Sequence, residues 1–233
     1  MLYRTFSLTP FLVSTTKNLG GGWMDSEEYA TQLFVHEDPV LAGVRHDIID
    51  RGMPAIFVPS HIGHLLSLLV KLNNSHDALE IGALGGYSGI WLARSLPDDG
   101  HLTSLELNPE YAKVAQHNLE RAGLGSKVHY EIGPALQSLD KLQKAGHQYD
   151  FFLIDADKEN YPGYLAFAIE MARPGAIIAG DNALLHGRVI DFDDSSPSAV
   201  AMRQFNEQMA THPRLTAMMI TMGDGLSIAR VNH

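Results

Sequence analysis

Two acidic stretches carry the side chains best suited to chemistry. In Phe151-Phe-Leu-Ile-Asp155-Ala-Asp157-Lys158-Glu-Asn-Tyr-Pro162, an apolar run ends on Asp155. A second run ends Ile178-Ala-Gly-Asp181-Asn182. If both are buried crossover strands, Asp155, Asp181 and Asn182 meet at one rim, the carboxyl ends where open parallel sheets bind ligands. Such oxygen donors suit a hard cation, Mg²⁺ first, with Mn²⁺ or Ca²⁺ as alternatives. Asp-bearing loops are also common caps, so this pair alone has a structural explanation too.

The second constellation is Leu79-Glu80-Ile-Gly82-Ala83-Leu84-Gly85-Gly86-Tyr-Ser88, which reads as a strand, a glycine turn and a helix start. A dinucleotide fingerprint needs a glycine where pyrophosphate approaches the backbone, and Leu84 fills that place here. Glu80, two residues before the turn, would repel pyrophosphate and attract a cation. S-adenosylmethionine, with its ammonium and sulfonium, is such a ligand. Glu106 ends the next apolar run, where a carboxylate accepts both ribose hydroxyls in NAD and S-adenosylmethionine enzymes alike. An NAD-dependent oxidoreductase is therefore the rival reading, with Leu84 and Glu80 against it. The plainer alternative is a tight turn at residues 82–86 and a solvated strand end at Glu106.

A third motif, His61-Ile62-Gly63-His64, spells the ATP-binding signature of class I aminoacyl-tRNA synthetases. It falls at the start of an amphipathic helix, and no lysine-rich partner segment follows. Its histidines read as helix-surface or cleft-lining groups.

Positioning these groups requires strand–helix alternation. Short apolar runs at residues 78–81, 102–107, 128–132, 151–154 and 176–179 predict buried strands, with helices over 109–122, 135–144 and 161–172. This implies a parallel sheet covered on both faces. Runs at 214–222 and 226–231 around Gly223-Asp-Gly225 predict a terminal hairpin. A polar loop at 191–197 and a helix over 199–209 precede it. Upstream, apolar residues at 62, 65, 66, 69 and 70 share one helix face. Helices are also expected over 27–35, capped by Asp25 or Ser26, and from Pro39. The first twenty or so residues resemble a flexible lead-in.

Bulk composition narrows the function. The chain has 233 residues, 45% of them hydrophobic, and a formal net charge of −10. That balance disfavours nucleic acid, which is gripped by Lys and Arg. The absence of cysteine removes disulfides, thiolate metal sites and thiol nucleophiles. No apolar run is long enough for a membrane span, and the start lacks the features of a signal peptide. A cytoplasmic, single-domain protein is the expectation.

Taken together, the pieces resemble the cation-dependent class I O-methyltransferases of the catechol and caffeoyl-CoA type, particularly the small bacterial members. The matching segments begin at Glu80, Gly133-Pro-Ala-Leu136, Asp155-Ala-Asp-Lys158, Gly180-Asp-Asn182 and Gly223-Asp-Gly-Leu226, in order over residues 55–230. The resemblance implies a Rossmann-like α/β fold, a seven-stranded mostly parallel sheet with an antiparallel last strand and helices on both faces. It implies S-adenosylmethionine contacts at Val58, Glu80, Gly82, Ala83, Ser88, Glu106, Ala135 and Asp157. It further implies cation ligands at Asp155, Asp181 and Asn182, a catalytic base at Lys158, and an acceptor-lining His186.

Asp157 is alternatively an N-cap of the following turn. Residues 1–55 would shape the acceptor pocket and a homodimer, and 56–233 the donor-binding core. The acceptor would be a small aromatic vicinal diol, among catechols, flavonoids, hydroxycinnamates, CoA thioesters and specialised metabolites. The motifs at His61 and His64 depart from the family pattern. A ligand-binding relative without catalysis would be expected to have lost part of the Asp155, Lys158, Asp181 and Asn182 set.

Overall fold

The structure, a computed structural model, describes residues 24–232. The lead-in expected over the first twenty or so residues lies outside them. Seven strands form one sheet: β1 (Asp77–Ile81), β2 (His101–Glu106), β3 (Val128–Ile132), β4 (Tyr149–Ile154), β5 (Ala172–Asp181), β6 (Leu215–Ile220) and β7 (Leu226–Val231). Their order is β3-β2-β1-β4-β5-β7-β6. β1 to β5 pair in parallel, whereas β7 runs antiparallel to β5 and β6. The expected hairpin is therefore the β6–β7 pair.

β4 over residues 151–154 and β5 over 176–179 read as unbroken apolar runs because both of their faces are covered. One face carries α2 (Pro39–Asp50), α3 (Ser60–Leu72), α4 (Tyr87–Ala93) and α5 (Pro109–Arg121), which bury Ile48, Leu66, Trp91 and Leu119 with Phe151. The other carries α6 (Ala135–Lys144), α7 (Tyr161–Met171) and α8 (Pro197–Thr211), which bury Leu139, Tyr164 and Phe205 with Phe152. Each large apolar side chain so buried contributes about 1.5–3 kcal/mol relative to exposure. A shorter helix, α1 (Ser26–Phe34), buries no residue.

Local signals place the helix starts. Asp38 accepts from the amide of Leu41 at 2.9 Å, with Pro39 opening α2. Asn108 accepts from Glu110 N at 2.9 Å, with Pro109 opening α5. Both pairings follow the preference for Asx caps and for proline in the first turn. Asp25 takes the N-cap position of α1 without a side-chain cap bond.

One expectation needs correction. Helix α7 stops at Met171, and β5 begins at Ala172 rather than 176. Tyr149 pairs with Ala172 but Phe151 with Ile177, so the chain bulges between them. Pro174 cannot donate to the ladder and Gly175 is left-handed (φ 88°), which accounts for the break. After β5, residues Leu185–Ile190 form 3₁₀ turns in which His186 and Gly187 are left-handed. Among the described residues no helix is long and apolar enough to cross a membrane.

Strand order reverses between β1 and β4. Successive crossovers leave a crevice beyond the carboxyl ends of these two strands, the standard ligand position in such sheets.

Candidate active site

A cavity of about 730 Å³ occupies that crevice. Its wall begins at the turn after β1. Gly82 has φ 100°, and a Cβ there would collide with the carbonyl oxygen of Asp155. Only glycine lets the turn lie this close to the end of β4. Ala83, Leu84 and Ser88 continue the wall.

Glu106 ends β2 and closes the same wall. One carboxylate oxygen accepts from Leu84 N and the other from Asn108 N, each at 2.8 Å. Each oxygen thus keeps capacity for a further donor. Val58 and Ala135, the first residue of α6, also line the cavity.

Glu80 was expected to meet a cationic ligand, and the structure places it beneath the turn. It is fully buried, does not line the cavity, and accepts from Ser88 Oγ at 2.5 Å and Ser104 Oγ at 2.6 Å. Burial raises its pKa to about 7 against the opposing effect of the two hydroxyls, with Asp155 and Glu106 pushing the same way as burial.

The ends of β4 and β5 supply the acidic floor. Asp155, Asp157, Lys158, Asn182 and His186 all line the cavity, while Asp181 is only 3% exposed. Lys158 Nζ donates to Asp155 Oδ1 at 3.2 Å and to the Tyr161 hydroxyl at 2.6 Å. The Tyr161 proton is shared between the carbonyl oxygens of Ile154 and Asp181, at 3.1 and 3.0 Å. One phenol therefore links the lysine to both acidic strands. Burial, reinforced by Asp155 and Asp181, keeps that phenol's pKa well above its ordinary value.

Asp157 occupies the cap position of the turn but makes no cap bond. Its oxygens instead accept from the Tyr164 hydroxyl and Asn160 Nδ2, both at 2.5 Å. His186 stands at the mouth, 83% exposed. Its backbone N–H donates to Asp224 Oδ1 at 2.6 Å, across from the hairpin. Sequence reasoning assigned no role to the Tyr161 and Tyr164 hydroxyls or to Asp224. The only signal was spacing, since Tyr161 follows Lys158 by three residues and Tyr164 follows Asp157 by seven.

Asp155 and Asp181 are both pushed upward in pKa, Asp181 to about 7, with burial the leading cause. Lys158 pulls both down without offsetting that burial. Two shielded carboxylates sharing one lysine, beside the carboxamide of Asn182, form an oxygen-donor set with excess negative charge. A hard divalent cation fits that set.

The His61-Ile62-Gly63-His64 motif lies elsewhere. Neither histidine lines the cavity. A Cβ on Gly63 would collide with the Trp91 indole, and His64 meets the same ring edge-on at 5.9 Å between centroids. The motif serves the packing of α3 on α4.

A sheet of this order, antiparallel at β7, with a glycine-turn cavity at the β1–β4 reversal, is the class I methyltransferase fold. A family model described as O-methyltransferase matches residues 31–232, and the chain belongs to that family. It is similar to a catechol O-methyltransferase of Niastella koreensis, 37% identical over 88% of this chain and 96% of the relative. A catechol O-methyltransferase of Mycobacterium tuberculosis is 39% identical over 89% and 95%. The crystal structure of an O-methyltransferase from Bacillus cereus in complex with S-adenosylhomocysteine superposes with a TM-score of 0.84. That structure is 37% identical and covers 88% of this chain and 96% of its own. The activity is S-adenosylmethionine-dependent O-methyl transfer.

Proposed function

We propose that the protein methylates one hydroxyl of a small aromatic vicinal diol, with a divalent cation held by Asp155, Asp181 and Asn182. The observation that carries this reading is Lys158, its ammonium fixed inside the cavity between Asp155 and Tyr161. The names of the two curated relatives support the acceptor class.

Donor binding follows from the wall. Glu106 accepts the ribose hydroxyls through its remaining lone pairs. Gly82 and Ala83 give the donor close access to the backbone, and Val58, Ser88, Ala135 and Asp157 complete the surround. Glu80 contributes negative charge from beneath the turn, with Ser88 lying between it and the cavity.

A diol hydroxyl titrates near a phenol, at about 10, and is a weak nucleophile at neutral pH. The cation, when bound, favours the ionised diol and fixes the direction of its two oxygens. The Lys158 ammonium first gives a proton to solvent; as the neutral amine its Nζ then accepts the hydroxyl proton, with Tyr161 and Asp155 fixing where that nitrogen stands. The oxyanion attacks the methyl carbon, the carbon–sulfur bond breaks, and its electron pair remains on sulfur as S-adenosylhomocysteine. Holding both reactants in line supplies up to roughly 7–11 kcal/mol of barrier reduction. His186 lines the acceptor side of the mouth. The working unit is read as a homodimer, and light scattering at the 25.6 kDa chain mass instead of twice that value would contradict it.

The test is transfer of labelled methyl to a panel of vicinal diols and their monohydroxy analogues, with Mg²⁺ or chelator. Lys158→Ala should lower kcat by about 10²–10⁴-fold with S-adenosylhomocysteine affinity retained. Undiminished turnover in Lys158→Ala, or equal turnover in chelator, refutes the mechanism.

A further inference from the structure

The opposite end of the sheet holds a second group of metal-ligating side chains that methyl transfer does not use. His76 and Asp77 enter β1, and His101 enters β2 as the register partner of Asp77. One ligand atom from each of the three lies within 4.8 Å of the others. Asp77 Oδ1 is 3.5 Å from His76 Nδ1 and 3.8 Å from His101 Nδ1. Ligands about 2.1 Å from a tetrahedral ion stand about 3.4 Å apart, so small side-chain rotations bring these atoms onto one ion.

The surroundings hold this group in place. Asp150 Oδ2 accepts from the backbone N–H of both His76 and Asp77 at 2.9 Å. His101 N donates to His76 O at 2.9 Å, an approach that a Cβ on Gly100 would crowd. Arg173 Nη1 holds Asp77 Oδ2 at 2.8 Å and Asp150 Oδ2 at 3.0 Å, leaving Asp77 Oδ1 turned toward the imidazoles. Asp99 Oδ2 stands 3.3 Å from His76 Nε2. A carboxylate there takes the Nε2–H and leaves the Nδ1 lone pair for a metal, the arrangement that commonly orients metal-bound histidine. Asp77 and Asp150 share the Arg173 guanidinium and Asp99 stands beside His76, three carboxylates against one guanidinium, so with neutral imidazoles a divalent cation balances the charge.

We propose that His76, Asp77 and His101 bind a borderline transition-metal ion such as Zn²⁺, Co²⁺ or Ni²⁺, clipping β1 to β2 at the edge remote from the catalytic cavity. Two imidazole nitrogens and one oxygen select that class over Mg²⁺ and Ca²⁺, which prefer oxygen alone. The site is independent of the acceptor reading above.

The test uses the untagged full chain, stripped of metal and held in excess Mg²⁺ to occupy the oxygen-donor set. Co²⁺ is titrated while its visible d–d absorption is followed, and Zn²⁺ is then added in competition. One equivalent of Co²⁺ should bind and be displaced by Zn²⁺. His76→Gln/His101→Gln should weaken binding by about 100-fold or more, and Asp99→Asn by about 10-fold. Unchanged S-adenosylhomocysteine binding confirms that the variants are folded, and the exposed single change His101→Gln serves if the double variant does not fold. Equal Co²⁺ affinity in the histidine variants, or no Zn²⁺-displaceable absorption in the natural chain, overturns the proposal and leaves His–carboxylate ion pairs only.

Discussion

Replacing Glu80 by Gln tests the electrostatics beneath the glycine turn. The carboxyl is fully buried, and its pKa rises from 4.5 to about 7 on folding. The folded chain therefore holds a proton that the unfolded chain releases between these values. Stability contributed by this group falls as pH rises through that window and levels off above about 7. That rise corresponds to about 3 kcal/mol. Glutamine keeps an acceptor for one serine and can donate to the other, whose hydroxyl can turn to accept. Glu80→Gln should thus match the natural chain near pH 4.5 and exceed it by about 3 kcal/mol at pH 8. For a chain of this size that is roughly 6–12 °C in Tm.

Equilibrium urea unfolding of both proteins without ligand, from pH 4.5 to 8, measures the difference directly. Taking the difference cancels the contributions of Asp155 and Asp181, which slope the same way. The same change should weaken S-adenosylmethionine binding above pH 7, because the negative charge beneath the turn is lost. A pH-independent gap between the two proteins would refute the account of Glu80.

Gly82→Ala meets both the Asp155 carbonyl and a φ of 100°. It should cost about 3 kcal/mol or more and abolish S-adenosylhomocysteine binding in calorimetry. Gly63→Ala, against Trp91, should lower Tm while a folded fraction keeps its donor affinity; selective loss of donor binding would return His61 and His64 to a nucleotide role. Tyr161→Phe removes the hydroxyl between Lys158 and two carbonyls. It should cost about 1–3 kcal/mol and shift the pH profile of kcat, and an unmoved profile would separate Tyr161 from proton transfer. Asp224→Ala releases the amide of His186 and should raise the acceptor KM severalfold with the donor KM unchanged, as steady-state kinetics would show.

The parts of the fold visible in the sequence were those governed by continuous burial. Residues 151–154 are apolar without interruption, and 78–81 are apolar but for Glu80, because helices cover both faces, so their strand character and position could be read directly. The start of β5 could not, since Arg173-Pro174-Gly175 has the composition of a loop and becomes strand only by pairing with Tyr149. The turn at residues 185–187 depends on left-handed Leu185 and His186, residue types that seldom advertise that conformation. At the site, strand ends fixed where Asp155, Asp181 and Glu106 emerge. The inward direction of Glu80 was not legible, because a strand buried on both faces has no polar side to orient it. The Tyr161 and Tyr164 hydroxyls were hidden for a similar reason, as their rings count as apolar in a helix pattern.

The two backbone bonds to Glu106 have a consequence for donor binding. The carboxylate ties the loop after β1 to the loop after β2 before any ligand arrives, so the donor meets a wall that is already formed. On the proposed donor side, this pre-organisation reduces the ordering that binding must otherwise impose on the two loops. The opposite rim is built differently: His186 sits on its own short turns and is tied to the β6–β7 hairpin through Asp224.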